Sequence, residues 1–286
     1  MRLVWGTVVS IESERTGLQR LLVEPDGEAP APALCYPALS GACTAGDRVL
    51  LNTTGIDLAL GTGGVHLVVA RTGSEAREGA GQTLSDPSGG HVMKLRYTPL
   101  QRDVMAVEAP ESPSHALMKN AVDLGGMPVV CCGLHSQVPV VAGALKERRP
   151  DARIAYVMTD EAALPLAMSD AVAACLDAAL LDTTVTCGQA FGGVLEAVTL
   201  HSGLVASRAV GGADVALVAI GPGVVGTGTA LGHGGVAQGE AINAAAVLGG
   251  RPIAPLRISF ADPRERHRGV SHHSLIALSR IVLPLT

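Results

Sequence analysis

Short, continuous apolar runs alternate with helix-like segments from about residue 125 onward. The apolar runs are MPVVCCG, ARIAYVMTD, LDTTVTCG, ADVALVAIG and RPIAPLRISF, and segments such as VPVVAGALKERRP and VAQGEAINAAAVLGG lie between them. Continuous rather than alternating apolarity is typical of strands that are buried on both faces. Strands that alternate with helices in this way predict an α/β fold, with a mostly parallel sheet flanked by helices in a Rossmann-like three-layer arrangement.

The first seventy or so residues follow a different pattern. Five short apolar or alternating runs are separated by Gly, Pro, Asp and Asn at spacings of about ten residues. This spacing predicts a small N-terminal all-β domain, a barrel or a sandwich, over residues 1–71. The polar, glycine-rich stretch over residues 72–90 is interpreted as a linker, and residues 91–286 are assigned to the α/β domain.

Composition restricts the classes of partner. The net charge is −5, aromatic residues make up 2% and no basic run occurs, which argues against binding to nucleic acid or an anionic membrane. Neither a signal peptide nor an apolar stretch of about eighteen residues is visible, so we expect a cytoplasmic protein. High hydrophobicity (48%) with low charge (16%) predicts that a second copy covers apolar surface in a homo-oligomer, a dimer.

Polar side chains follow each predicted strand of the α/β domain. Ligands of open parallel sheets bind outside the carboxyl ends of the strands, and those ends share one edge. We therefore expect the side chains in these loops to converge on one site. The candidates in these loops are His135, Asp160, Cys187, Gln189, His233, Arg264, Arg268 and His272.

The segment GPGVVGTGTALGHGG, residues 221–235 and here called the glycine loop, holds seven glycines in fifteen positions. It matches G-x-G-x-x-G, but the helix-like segment starts only near Val236 and the acidic residue of a dinucleotide site is missing. Thr227 stands where a P-loop has Lys, so no cofactor is assigned. An anion cradle of backbone N–H groups remains, and the alternative is a flexible lid or a packing site. The residues assigned to the cradle are Gly221, Gly223, Gly226, Thr227, Gly228 and Thr229.

The segment RERHRGVSHHS, residues 264–274 and here called the arginine–histidine loop, follows the last predicted strand. Arg guanidinium groups suit phosphate or carboxylate, and His suits proton transfer or metal binding. We assign Arg264 and Arg268 to ligand binding and His272 to catalysis, against the alternative of a charged surface loop. Adjacent His272 and His273 are expected to point apart on a helix, so that at most one lines the site.

Five further residues complete the predicted site, four of them in other loops and His233 in the glycine loop. His135 and His233 are the further candidates for acid–base catalysis. Cys187 lies at a strand-to-helix turn, where a helix N-terminus would favour a thiolate nucleophile, although a plain core thiol is the alternative. Gln189 is assigned to ligand contact. Asp160 is assigned to a ligand hydroxyl, with a helix cap as the alternative.

No metal ligand is assigned, because neither H-E-x-x-H nor H-x-x-x-H on a helix occurs. The alternative is a long-range metal site formed by His135, His233, one of His272 and His273, and Asp160. The segment GHVMKLRYTPLQRDV, residues 90–104, is interpreted as an edge strand with solvated charges. The alternative is that Lys94, Arg96 and Gln101 reach over the site.

The order of several motifs resembles that of a bacterial family catalogued as a domain of unknown function. The motifs are GDRVLLNTTGIDLALGTGGVHLV, GHVMKLRYTPLQ, GLHSQVP, TCGQAFGG and GHGGVAQGEAINAA, and together they span most of the chain. The resemblance implies that the chain acts as one functional unit. It implies no activity, cofactor or catalytic residue.

The sequence thus favours a protein that binds a small anionic metabolite, phosphorylated or nucleotide-like, at the carboxyl ends of the strands. Group transfer and hydrolysis are the reactions considered. The alternative is a non-catalytic ligand sensor or a scaffold that docks a partner.

Overall fold

A computed structural model describes residues 1–58, 64–72 and 88–283. The chain divides into two compact units, Met1–Pro87 and Ser88–Thr286. The predicted linker at 72–90 falls mostly on residues 73–87, which lie outside the described residues.

The first unit is a closed five-stranded barrel, the first of the two alternatives predicted for this segment. Buried and half-exposed residues alternate along β4, as the half-buried strands of a barrel require. The strands follow the order β1-β2-β3-β5-β4, and only β3 and β5 pair in parallel. Val8, Leu21, Val23, Val49 and Leu51 fill the interior. The elements are β1 (Leu3–Arg15), β2 (Leu18–Pro25), β3 (Ala31–Cys35), α1 (Pro37–Ser40), β4 (Arg48–Asn52), α2 (Thr54–Asp57) and β5 (His66–Thr72).

The second unit is an α/β domain built on a parallel sheet. Its strands are β6 (Val92–Lys94), β7 (Arg102–Val104), β8 (Pro128–Cys131), β9 (Ile154–Thr159), β10 (Thr183–Thr186), β11 (Leu195–Glu196), β12 (Val215–Ile220), β13 (Arg251–Ile253), β14 (Ile258–Ser259) and β15 (Gly269–Val270). Its α-helices are α3 (His115–Asn120), α4 (Gln137–Arg148), α5 (Asp170–Asp177), α6 (Leu200–Ala209), α7 (Ala237–Val247) and α8 (His272–Ile276).

The sheet has six strands in the order β11-β10-β9-β12-β8-β13, and every neighbouring pair is parallel. Successive residues of a strand point to opposite faces. On β12, Ala216 and Val218 join one apolar cluster, whereas Leu217 and Ala219 join another. Both faces of the sheet are therefore buried, which explains the continuous apolar runs in the sequence.

Helices cover both faces. Helices α6 and α7 contribute Leu204 and Ala241 to the cluster that contains Val218. Helices α4 and α5 contribute Val138 and Val172 to the cluster on the opposite face. The helices that follow β8 and β9 thus pack on one face of the sheet, and the helix that follows β12 packs on the other.

Three details differ from the predicted elements. The short strand β11 is not among the predicted strands, and it pairs with β10 before α6 begins. RPIAPLRISF is divided into β13 and β14, which belong to different sheets. Residues 90–104 contain a hairpin of β6 and β7 rather than one strand, and Lys94 is fully buried rather than solvated.

Among the described residues, no helix has both the length and the apolar character needed to span a bilayer.

Candidate functional site

Strand β12 marks the place in the sheet where the chain changes direction. It lies between β9 and β8, and the helix that follows it packs on the opposite face from the helices that follow those two strands. Two such connections diverge at the carboxyl end of the sheet and leave a crevice, which is where open α/β sheets bind ligands. The glycine loop leaves the sheet at this point.

A cleft of about 250 Å³ lies between the glycine loop and the chain that follows β13. Three residues of the glycine loop contribute to its wall, and most of the opposite wall comes from the arginine–histidine loop. The residues that line the cleft are Leu134, Val224, Gly226, Gly228, Arg257, Arg264, Arg266, His267, Ser271 and His273.

Three arginines line the cleft, and two of them pair with one carboxylate. The guanidinium groups of Arg257 and Arg264 lie 2.7 and 3.1 Å from Asp262, and these two contacts hold the pKa of its carboxyl well below the usual range. Arg266 makes no ion pair or hydrogen bond with any residue that the structure describes. These three arginines and Asp262 together carry a net charge of +2.

Backbone geometry explains two of the predicted cradle glycines. Gly226 and Gly228 line the cleft, and within the described part of the chain their N–H groups donate no hydrogen bond. Gly228 has φ +78°, a conformation that side chains other than glycine rarely adopt.

The other predicted members of the cradle do not line the cleft. A Cβ at Gly221 would collide with the carbonyl oxygen of Ala163, so this glycine permits close packing. Gly223 has φ +98° and is exposed. Thr227 and Thr229 share a hydroxyl–hydroxyl contact of 2.9 Å, Thr227 donates to the carbonyl oxygen of Gly232, and Thr229 accepts from its N–H. The two threonines therefore hold the loop closed on itself.

Four histidines, here called the histidine cluster, meet beside the cleft: His233, His267, His272 and His273. The rings of His233 and His273 stack with a centroid distance of 3.9 Å, and those of His272 and His273 are 4.2 Å apart. His267 lies 4.9 Å from His272 and 5.0 Å from His273, and its Nδ1 pairs with the Ser271 hydroxyl at 2.8 Å. Of the four, His267 and His273 line the cleft.

Of His272 and His273, which were expected to point apart, only His273 lines the cleft. These two residues begin α8 directly after Ser271, which caps the helix. The side chains leave the helix about 100° apart, as adjacent residues must. Both nevertheless join the cluster, because His233 and His267 come from other segments and contact both rings around the start of the helix.

Burial lowers the pKa of three histidines in this cluster. Loss of solvation lowers the pKa of His233 and His267, and it lowers the pKa of His273 to about 4 with further contributions from His233 and His272. His267 and His273 are therefore neutral at pH 7, and their free nitrogens are available as proton acceptors or ligands.

His135 lies outside the residues that line the cleft. Its Nδ1 donates to the carbonyl oxygen of Ile220 at 3.0 Å, and its Nε2 lies 2.6 Å from the Ser169 hydroxyl. Ser169 is 2% exposed and also caps α5 by accepting from the N–H of Val172. Burial lowers the pKa of His135. With both ring nitrogens engaged, His135 joins the ends of β8, β12 and α5, and the structure gives no support for its predicted catalytic role.

Cys187 also gains no support as a nucleophile. Its side chain belongs to the apolar cluster on the α6 face of the sheet and is 2% exposed. Burial raises the pKa of the thiol far above its usual value, so the thiol is protonated. The alternative weighed for this residue, a plain core thiol, agrees with these observations.

Asp160 and Gln189 belong to a second polar group, away from the cleft. The Asp160 carboxylate accepts from the N–H of Gln189 at 2.8 Å, and the Gln189 side chain accepts from the N–H of Arg96 at 3.1 Å. The predicted long-range metal set of His135 and Asp160 with two other histidines is therefore not assembled.

A fully buried ammonium group completes this second polar group. Lys94 donates to the carbonyl oxygens of Gly188 and Ala197 at 2.9 and 3.0 Å, and it lies 3.4 Å from the Glu196 carboxylate. Burial raises the pKa of Glu196, and the charge of Lys94 opposes that rise. These contacts attach the β6–β7 hairpin to the sheet.

The cleft includes residues that the sequence did not single out. Arg268 is exposed and does not line the cleft, whereas its neighbour Arg266 does. Arg257 lies in a segment expected to be a strand. Arg257 could have been found from the sequence, because it is a basic residue close to the end of a predicted strand.

The fold and this site define an α/β protein with a basic, histidine-rich cleft at the carboxyl edge of a parallel sheet. The chain belongs to the family described as "Protein of unknown function (DUF3866)", whose sequence model matches residues 32–285. Comparison with curated proteins finds no match, and comparison with solved structures finds none. The bacterial origin of the family stays a prediction.

Proposed function

We propose that the cleft binds a small anionic metabolite, phosphorylated or nucleotide-like. The observation that carries this proposal is the charge of the cleft, where Arg257 and Arg264 share the carboxylate of Asp262 and Arg266 pairs with no described residue. A phosphate or carboxylate would supply the missing negative charge, and Arg266 has a free guanidinium group to bind it.

The backbone of the glycine loop supports the same ligand. Gly226 and Gly228 line the same cleft as the arginines, and their unpaired N–H groups would donate to an anion oxygen. The position of the loop at the end of β12 fits as well. We propose that the domain is a Rossmann-like three-layer protein that binds its ligand where the connections diverge.

Two neutral histidines border the same space. His267 and His273 line the cleft, and a low pKa leaves them able to accept a proton from a ligand or from water. This arrangement favours an enzyme, a transferase or a hydrolase, over the alternative of a non-catalytic sensor or scaffold. A measurement of whether the bound ligand is turned over distinguishes an enzyme from a non-catalytic sensor or scaffold.

The test is calorimetric titration of the metal-free chain with inorganic phosphate, pyrophosphate and adenosine phosphates. We expect saturable binding of at least one of them. Arg266→Ala should weaken it about tenfold to a hundredfold, because a hydrogen bond to a charged group contributes roughly 1.5–3 kcal/mol. Arg268→Ala is the matched control, since Arg268 belongs to the same loop but does not line the cleft.

Equal losses in Arg266→Ala and Arg268→Ala would contradict the proposed location of the site. No binding of any of these anions to the wild-type chain would contradict the ligand class. A protein partner would then become the better explanation for the basic surface.

A further inference from the structure

Three members of the histidine cluster present their nitrogens to one another. His233, His272 and His273 each offer a ring nitrogen, and these three atoms lie within 4.8 Å of one another. His233 comes from the glycine loop, and the other two come from the start of α8. Two segments that lie far apart in sequence thus bring three imidazole side chains together.

The hydrogen bonds of His233 leave one nitrogen without a partner. Its Nε2 lies 3.1 Å from the carbonyl oxygen of Ala230, which cannot donate, so the ring proton is on Nε2. The lone pair is then on Nδ1, which is buried and accepts no hydrogen bond from any described residue. A backbone carbonyl that orients the far nitrogen in this way is the usual support for a metal-binding histidine.

His272 has two such nitrogens. Both Nδ1 and Nε2 are buried and have no hydrogen-bond partner within the described residues. Buried polar atoms are normally paired, and unpaired ones in a group point to an absent ion or water. His267 differs from these, since its Nδ1 pairs with Ser271, and it is therefore left out of the ligand set.

Gly235 allows the side chains of His233 and His273 to lie close together. A Cβ at this position would lie 3.0 Å from Nδ1 of His233 and 3.1 Å from Cβ of His273. The approach of the two histidines therefore depends on a glycine between them. The glycine loop in this way has a second role besides forming a wall of the cleft.

We propose that His233, His272 and His273 bind a divalent transition metal of the zinc class. Imidazole nitrogens suit zinc and its neighbours, whereas magnesium and calcium prefer oxygen ligands. Among the described residues, no carboxylate joins the three nitrogens. Nitrogens bound to one tetrahedral zinc at 2.0–2.1 Å lie about 3.3 Å apart, so the rings need only small rotations.

Three protein ligands leave one coordination position of a tetrahedral metal open, which is the pattern of catalytic rather than structural zinc sites. His273 belongs to the ligand set and also lines the basic cleft, so the metal would lie at the cleft wall. The metal site stands on the histidine geometry alone and does not depend on the anion proposed above.

The experiment is a Zn²⁺ titration of the full chain after dialysis against a chelator, in a buffer free of phosphate and followed by calorimetry. We expect saturation at one zinc per chain. His272→Ala should lower the affinity for zinc by at least about 10–100-fold, which is the loss typical when a residue that only hydrogen-bonds to a metal ligand is removed. His201→Ala is the control, because His201 is exposed on α6, outside the cluster.

A second measurement is the visible spectrum of the wild-type chain with Co²⁺. A tetrahedral site with three nitrogen ligands gives intense absorption bands, and weakly bound octahedral Co²⁺ gives faint ones. Because the cobalt spectrum uses the wild-type chain, it tests the proposal even if His272→Ala does not fold. Circular dichroism of the metal-free variant shows whether it folds.

Stoichiometric zinc binding that is retained in His201→Ala and lost in His272→Ala supports the proposal, as do intense cobalt bands. Absence of saturable zinc binding, equal affinity in His272→Ala, or faint cobalt bands overturns it. Anion binding is measured on metal-free protein and zinc binding without phosphate, so the failure of one proposal is distinguishable from the failure of the other.

Discussion

The imidazole rings of His233 and His273 stack almost in parallel, with their centroids 3.9 Å apart and their planes 13° apart. The Cα of Gly235 lies close to both. Gly235→Ala would insert a methyl group against these two side chains. We expect it to lower the free energy of unfolding by about 1–3 kcal/mol, as overpacking does, measured by urea denaturation.

Gly143→Ala is the matched control for that change. Gly143 lies inside α4, and a Cβ there meets nothing within 4 Å. Alanine is favoured over glycine in a helix, so the control should be neutral or stabilising by up to about 1 kcal/mol. If the two changes had equal effects on the free energy of unfolding, contacts with the two histidines would not explain the effect of Gly235→Ala.

Lys94→Met should be strongly destabilising. The methionine removes the charge that lies 3.4 Å from Glu196 and leaves that carboxyl buried without its cation. Removal of one partner from a buried pair costs about 3–5 kcal/mol in unfolding free energy. Lys119→Met, at an exposed position on α3, should change stability by less than about 0.5 kcal/mol.

Glu196→Gln in the Lys94→Met background tests the cause of that loss. The amide carries no charge, so it should recover part of the stability that Lys94→Met removes. Absence of any recovery would assign the loss to the two carbonyl contacts of Lys94 rather than to the ion pair.

Acid should weaken the contribution of His135. Burial lowers its pKa in the folded chain below the ordinary 6.5, so the unfolded chain takes up the proton first as the pH falls. The stability that neutral His135 provides is therefore present above about pH 6.5 and is lost progressively below it. In urea denaturation, the stability difference between wild type and His135→Gln should shrink from pH about 7.5 to about 5. A constant difference would contradict this assignment.

The predicted homo-oligomer is tested by light scattering. Near the edge strand β13, Ile258 and Phe260 are 53% and 82% exposed in the single chain. If the chain is a dimer through this surface, wild type has about twice the chain mass of 29.0 kDa, and Phe260→Glu returns it to the mass of one chain. A monomeric wild type contradicts the prediction.

The parallel sheet and the loops at its carboxyl edge could be predicted from local sequence patterns. Continuous apolar runs predicted β8, β9, β10 and β12, because a strand buried on both faces can carry few polar residues. The meeting of the glycine loop with the arginine–histidine loop follows from parallel pairing, since all carboxyl ends then lie on one side.

The pairing of individual side chains was not predictable in the same way. Arg266 rather than Arg268 reaches the cleft because a short helical turn at Glu265–His267 turns the chain there. Lys94 is buried through contacts with residues about a hundred positions later. Periodicity describes which face of an element is apolar, whereas these contacts depend on the path of loops in three dimensions.

The attachment of the β6–β7 hairpin by Lys94 sets an order of events during synthesis. Lys94 leaves the ribosome 103 residues before Ala197, one of its two carbonyl acceptors. At about 5–20 residues per second, the ammonium group waits on the order of 5–20 s for this partner. The hairpin can form early, because its strands are neighbours in sequence, but it can dock only after β10 and β11 have emerged. A chain that stalls before Gly188 therefore keeps this cation in water.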